Sequence, residues 1–509
     1  MKFEPQSKFT VDQIEDLLGG GLRKPPKLTI SLTAKRRLLR ARNQVENLMH
    51  SDRAIYGVNT GFGRLARIKI SKDELEALQI NLIRSHACGV GKPLTERLVR
   101  RLLLLRILSL GKAASGIRWQ TFQRHLDFWN HSLTPWIPEQ GSVGASGDLA
   151  PLAHLALPML GEGFFWMHGE KVQAAKILKN RKLAPLRIGA KEGLSLTNGT
   201  QVSLTLGLEA LARIKHLWKW MEAITCLSVE AHSATAAVYD DAIHALKAHP
   251  EQREIAARLR RRLRSSDHMK AHHDCNQVQD SYSFRAVPQI LAPCLKFIRS
   301  AEELMENEIN SVSDNPVLVR GSSDLHSCGH FHAQAVSMAS DLLTQAAVTI
   351  GNLSERRLDQ LVNPLTSRTT GFLAQQPGVE SGLMIVQTAA AALASENKTL
   401  AFPASADTIS TNGNQEDHVS MAPWAGRKAL LVLENLESIL VMEMVGAVRG
   451  CVIESTRSGL TYSAYVEKFL GWLGKKAPGL FKAGDRVFSE DFEVLKTLIQ
   501  NSEPPAEAN

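Results

Sequence analysis

Four long stretches of the chain keep a helical rhythm of apolar positions: residues 202–239, 333–361, 381–400 and 427–448. Each is dominated by Ala, Leu, Met, Glu and Gln and has no internal proline, as a long helix requires. Pro250, Pro288, Pro316 and Pro364 fall between these stretches or near their ends. Helices of this length are unfavourable unless they pack lengthwise against others, and the alanines at 389–392 permit close approach. The pattern predicts a mainly α protein with a long central helical bundle over 201–450. A smaller, loop-rich N-terminal region over 1–200 precedes it; a C-terminal helical segment and flexible tail over 451–509 follow, with disorder expected from Ser502.

Within residues 1–200, short helical patterns alternate with glycine-rich turns at 19–21, 57–63 and 141–144, the kind of loop on which function often sits. The two most apolar stretches, 102–110 and 430–448, are interrupted by Arg106 and by Glu434, Glu437 and Glu443. Charges there would be costly in a bilayer, so both read as buried bundle helices and no membrane partner is expected. The N-terminal residues lack the apolar core of a secretory signal.

Composition changes this picture little. At 509 residues, two or three subdomains are expected, and 44% hydrophobic with 22% charged residues is ordinary for a soluble protein. Cys88, Cys226, Cys275, Cys294, Cys328 and Cys451 lie far apart with no CxxC pair, which suggests a reducing, cytoplasmic setting. The net charge of +9 raises the question of nucleic acid, most sharply at residues 258–264, where five arginines surround Leu259 and Leu263. No aromatic residues are interleaved there, so a solvated helix face anchored by two leucines is the expectation, with no nucleic-acid partner.

The segment from Gly141 to His154 carries the candidate chemistry. Read plainly, it is a glycine-rich turn leading into a helix that Ser146 or Asp148 could cap. A tight bend at Ala145-Ser146-Gly147 would allow a second outcome: attack of the Gly147 nitrogen on the Ala145 carbonyl carbon. Loss of water then closes a five-membered ring, and dehydration of Ser146 leaves an exocyclic methylene. Gly147 suits the attacking role because a side chain would obstruct the bend, and a held geometry gives a large effective concentration.

Gly144-Ala-Ser-Gly-Asp-Leu149 resembles the signature of the aromatic amino acid ammonia-lyase family. Further similarity follows in order through Tyr56-Gly-Val-Asn-Thr-Gly-Phe-Gly63, Ser85-His86, Leu196-Thr-Asn-Gly-Thr-Gln201, the segment from Gln279 to Arg285, Asn310 to Pro316, Phe331-His332 and Gln415 to Met421. The resemblance implies a helical bundle of the aspartase/fumarase-like type and a 4-methylidene-imidazol-5-one formed autocatalytically from Ala145, Ser146 and Gly147, with no dissociable cofactor. It also implies a homotetramer whose active sites combine residues of several subunits, which would cover long apolar helices. The implied reaction is elimination of ammonia from L-histidine to give trans-urocanate, the first step of histidine breakdown. Use of the electrophile on the amino group or on the imidazole ring stays open.

By the same resemblance, Tyr56 is the candidate general base, which requires positive groups to lower its pKa. Gln279, Tyr282 and Arg285 recur at three-residue intervals, so a helical turn could direct them together. Arg285 would clamp the substrate carboxylate with its planar fork. Tyr282 would hydrogen-bond the cofactor or relay a proton, and Asn198 would support the carboxylate or the imidazolone oxygen. His86 would contact the substrate side chain and Phe331 would form an apolar wall. Glu416 stands where histidine-specific members carry Glu and phenylalanine- or tyrosine-specific members carry Gln. A carboxylate can accept an imidazole N–H that a benzene ring does not offer.

The chain departs from the family pattern at Phe402, where His is common, and at His330, Ser281 and Glu380, in place of Asn, Pro and Asn. These leave room for a lyase or 2,3-aminomutase acting on another aromatic or modified histidine substrate. A zinc reading starts from the alternating His and Cys of residues 326–332 and from His272, His273 and Cys275, but no HExxH occurs and no metal is expected.

Overall fold

The computed structural model describes residues 2–19, 26–49, 55–68, 70–271 and 278–507. It is mainly helical, and its longest helices are Gln201–Ala231, Val287–Ile309, Gln334–Val362 and Ala422–Ser458. Met384–Leu400 is shorter. The first of these stops well before Tyr239: Ser233 takes a left-handed φ of 49° and its N–H turns back to the Glu230 carbonyl. The last extends beyond its apolar stretch at both ends, and Pro423 is tolerated in the first turn, where a missing N–H costs no bond. The Val287–Ile309 helix carries Pro293 and was not anticipated as a long element.

Contacts group the chain into two compact units. The first comprises Met1–Glu209, Ala301–Asp341 and Pro403–Arg427. Its helix Glu96–Gly111 is buried at every residue from Arg101 to Gly111, so it belongs to a core rather than to a surface. Helices Leu75–His86, Leu149–Ala156 and Glu192–Thr197 pack on one another. Strand Val90–Pro93 pairs antiparallel with Pro138–Gln140, which delivers the chain to the turn at Gly141.

The second unit comprises Ala210–Ser300, Leu342–Phe402 and Lys428–Asn509. Its long helices meet around a fully buried ion pair, Arg357 to Glu443, with Nε–Oε1 at 2.5 Å and a second bond at 2.9 Å. Ser228 and Ser354 also donate to the Glu443 carboxylate, so the charge is both paired and hydrogen-bonded, as burial demands. In the Pro250–Arg262 helix, Leu259 is buried, as is Leu263 just beyond it, but the arginines are not simply solvated. Arg258 pairs with Glu222 and Glu254, and Arg261 and Arg262 pair with Glu507. Glu507 lies in the C-terminal segment, whose Glu503 also pairs with Lys219 at 2.8 Å.

Among the described residues no helix is long and apolar enough to cross a membrane. Cys88, Cys226, Cys294, Cys328 and Cys451 are free thiols, and Cys275 lies outside the described residues. Gly20 and Gly21 of the first glycine turn lie outside them as well.

Candidate active site

Ala145-Ser146-Gly147 sits in a turn whose backbone regular structure does not supply. Ser146 has φ of 53°, Gly147 of 81° and the preceding Gly144 of 71°. The turn is clamped on one side by Ser420 and Met421. Ser420 Oγ donates to the Gly144 carbonyl at 2.9 Å, and the Met421 N–H donates to the Val143 carbonyl at 2.8 Å. On the other side lies Gly199, whose carbonyl accepts the Asp148 N–H at 2.7 Å. A Cβ on Gly147 would overlap the Gly199 backbone, and one on Gly144 would overlap Ser420. Only glycine at 147 lets the two backbones approach this closely. The three residues therefore fit the methylidene-imidazolone that the family resemblance implies: the bend is present, Ala145 is buried, and the positions that must be bare are bare.

Asp148 occupies the N-cap position of the Leu149–Ala156 helix, yet its side chain does not cap that helix, nor does Ser146. Its carboxylate instead accepts from Ser203 N and Ser203 Oγ, both at 2.7 Å, in the first turn of the Gln201–Ala231 helix. Full burial pushes this acid up to about 6, against the Ser203 bonds that favour its charged form.

A cavity of about 720 Å³ opens over the turn. Tyr56, Ala145, Ser146, Asn315, Phe331 and Glu416 line it, together with Cys328, His332, Asn412 and His418. A second cavity of about 600 Å³ contains His86 and shares Gly63, Asn412 and Glu416 with the first. Thr411 Oγ1 fixes the Glu416 carboxylate at 2.6 Å. His86 Nδ1 lies 3.1 Å from Ser85 Oγ; burial depresses its pKa, while Glu416 acts to raise it. Gly63 N donates weakly to Tyr56 Oη at 3.4 Å. Burial raises the Tyr56 pKa above its usual value, the Gly63 N–H opposes this, and the charge of Glu416 adds to it. A base at Tyr56 needs a shift in the other direction.

Asn198, the residue before Gly199, is buried; its Nδ2 donates to the Asn315 carbonyl at 3.4 Å and its Oδ1 has no partner among the described residues. Asn315 is held in turn by its neighbour Asp314, which pairs with the buried Lys191 at 2.8 Å and accepts from Ser195 Oγ. Gln279, Tyr282 and Arg285 belong to the second unit, and the residues lining the two cavities are all of the first. Only Tyr282 and Arg285 share a helical turn, Tyr282–Arg285; Gln279 precedes it. Asp280 anchors this segment through Arg368 at 2.5 Å and Thr235 N at 2.8 Å, Phe284 is buried, and Tyr282 is 70% exposed with the Arg285 guanidinium 4.7 Å over its ring.

Of the unusual positions, Phe402 is 71% exposed in the second unit and His330 is exposed beside Phe331; neither lines the cavities. Ser281 is the residue preceding the Tyr282–Arg285 turn, and Glu380 pairs with Arg449 at 3.3 Å. The His and Cys residues of 326–332 do not converge: His326 faces Ser322 Oγ, Cys328 Sγ donates to the Asp314 carbonyl, and His332 stacks on His418. Among the described residues no group of three His, Cys, Asp or Glu side chains could hold a metal ion; residues 272–277 lie outside them. Arg106, the Lys191–Asp314 pair, Asn315 and Asn412 were not anticipated as parts of this site.

Known proteins resemble this chain over most of its length. The profile described as aromatic amino acid lyase matches residues 10–471. The histidine ammonia-lyase of Vibrio cholerae is 41% identical over 479 residues, which cover 94% of this chain and 93% of that one. Among solved structures, the histidine ammonia-lyase of Trypanosoma cruzi is 36% identical with a TM-score of 0.86, covering 97% of this chain and 92% of that one. The phenylalanine aminomutase of Pantoea agglomerans is 29% identical with a TM-score of 0.90, covering 98% and 99%. The chain belongs to the aromatic amino acid lyase family.

Proposed function

We propose that this protein is a carbon–nitrogen lyase that eliminates ammonia from L-histidine to give trans-urocanate, the first step of histidine breakdown. The observation that carries the choice of substrate is Glu416, a carboxylate on the shared wall of the two cavities, fixed by Thr411 and a neighbour of Ser146 in one cavity and of His86 in the other. An imidazole N–H can donate to it; a benzene or phenol ring in the same place would leave the charge without a partner. The 41% identity to a histidine ammonia-lyase supports the same choice.

The methylidene-imidazolone formed from Ala145, Ser146 and Gly147 supplies an electrophile that ordinary side chains lack. The remaining work falls to side chains. Phe331 walls the ring, His86 contacts it, and Glu416 orients it. Asn198 offers its unpartnered Oδ1 from below. Tyr56 takes the β-proton, and for that its phenol needs a cation to offset burial. Arg285 is the natural source: it clamps the substrate carboxylate, with Gln279 and Tyr282 beside it, and Tyr282 passes protons on or bonds the cofactor. These three residues come from neighbouring copies of the chain in a homotetramer with shared sites, the assembly that the family resemblance implies. The exposure of Val278, Tyr282, Leu365, Val379 and Phe402 supports such an assembly. The five thiols that are free among the described residues fit a cytoplasmic setting.

The test joins product analysis to intact mass. Incubation with L-histidine is expected to release urocanate, and the natural chain to weigh two waters less than encoded. Ser146→Ala is expected to keep its full mass and to lose on the order of 10³-fold or more in turnover, the scale of removing a covalent catalytic group. Formation of β-histidine would make it an aminomutase, and full activity with an uncyclised tripeptide would refute the reading.

A further inference from the structure

Arg106 is a fully buried cation in the middle of an apolar helix, and its hydrogen bonds go to neutral oxygens. One nitrogen donates to the Asn198 carbonyl at 2.8 Å and to Gln201 Oε1 at 2.7 Å; another donates to the Ser195 carbonyl. Burial pushes its pKa down to about 10, and Asp314 and Asp148 only partly offset this from a distance. A charge so placed is expensive, and an apolar side chain would fill the core at lower cost. What Arg106 does beyond filling space is fix three groups in one short stretch: the end of the Glu192–Thr197 helix, the Asn198 peptide and the first residue of the Gln201–Ala231 helix.

Between those fixed points lies Gly199, with φ of 136°. Its backbone faces Gly147, and a Cβ there would collide with Gln201 and come within 2.7 Å of the Arg106 guanidinium. Ser313 Oγ braces the same stretch by accepting from Gln201 Nε2 at 2.6 Å. The clamp on the Ser420 side is made of direct hydrogen bonds to the Gly144 end of the turn. At the Gly147 end the opposing surface is the Gly199 peptide, and Arg106 is the buried charge that locks it.

We propose that Arg106 is a positioning residue for cofactor formation, holding the Asn198–Gly199 backbone as the surface against which Ala145-Ser146-Gly147 is bent. The inference rests on the cyclisation described above. In that step a bond forms from Gly147 N to the Ala145 carbonyl carbon; the carbonyl oxygen leaves as water with the Gly147 and Ser146 amide protons. Ser146 then loses its hydroxyl with its α-proton as a second water, and no oxidant is needed. Arg106 touches none of these atoms. It acts by keeping the reacting nitrogen and carbon together, and a misplacement of about 1 Å costs roughly 100-fold in rate.

The experiment follows intact mass with time in freshly produced natural chain, Arg106→Met and Arg106→Lys, with circular dichroism to check folding. Arg106→Met is expected to fold with native helicity yet to retain both waters, with dehydration slowed about 100-fold. Arg106→Lys keeps the charge but lacks the planar fork, and should dehydrate at an intermediate rate. Dehydration of both variants as fast as the natural chain would overturn the proposal. So would failure of both to fold, which would assign Arg106 to the core alone. A natural chain at its full encoded mass would instead bring down the cyclisation itself.

Discussion

The turn around Ser146 and the helices around Glu443 solve opposite problems with buried polar groups. At Glu443 the charge is met directly by Arg357, two serines complete its bonds, and all four residues lie within long helices. At Ser146 the backbone is left-handed at three of four successive positions, Asp148 is buried without a cation in contact, and Asn198 keeps an unpartnered oxygen. The first arrangement serves stability: both Glu443 oxygens are used, and Arg357 Nη1 alone in the cluster lacks a partner among the described residues. The second is what chemistry selects: strain and incomplete pairing persist only where the surroundings over-determine them. Helices and turn are therefore expected to respond separately to substitution.

The sharpest way to break the comparison is Glu443→Gln. It strands the Arg357 charge in the core and is expected to cost about 3–5 kcal/mol in denaturant unfolding, while turnover per folded molecule stays unchanged. A parallel loss of turnover would show the two regions to be coupled. Next in size, Glu416→Gln should leave unfolding untouched and lower kcat/KM for histidine by about 1–3 kcal/mol, read as the ratio of rates on histidine and phenylalanine. An unchanged ratio would remove Glu416 from substrate selection.

The smallest effect concerns pH. His125, buried in the first unit, is held neutral, its pKa depressed to about 3 by burial and by the nearby Arg106 charge. Below its ordinary value of 6.5 the unfolded chain binds a proton that the folded chain refuses, so folding stability falls as pH drops through that window. Asp148 has the opposite sign: raised to about 6, it binds a proton in the folded state first and gains stability on acidification towards 3.8. In thermal or denaturant melts from pH 7 to 5, His125→Gln should lose less than the natural chain, by about 1.4 kcal/mol per unit below 6.5. Parallel pH profiles would mean that His125 is not held neutral.

Much of this was legible in the chain, and the gaps have physical causes. The helix at Gln334–Val362 lies within one residue of its apolar stretch, because alanine-rich sequence without proline leaves few alternatives. The end at Ala231 was not legible, since nothing in the propensities of residues 232–239 forces Ser233 into a left-handed turn. Tyr56, His86, Ala145, Ser146, Phe331 and Glu416 were found by motif and do line the cavities. Asp148 was seen only as a cap for its own helix, and its bond to Ser203 spans 55 residues. Arg106 looked only like an interruption in an apolar helix, because its partners lie about ninety residues away and are mostly backbone carbonyls, which carry no sequence signal.

The bond from Ser420 to Gly144 spans 276 residues. During translation, the clamp on the turn cannot close until at least 276 residues beyond Gly144 have been made. Until then the Ala145-Ser146-Gly147 peptide lacks one of the two walls that hold its bend in the folded chain. With the cyclisation proposed above, fragments ending before Ser420 are expected to keep both waters by intact mass, so that the electrophile arises only inside the cavity that uses it.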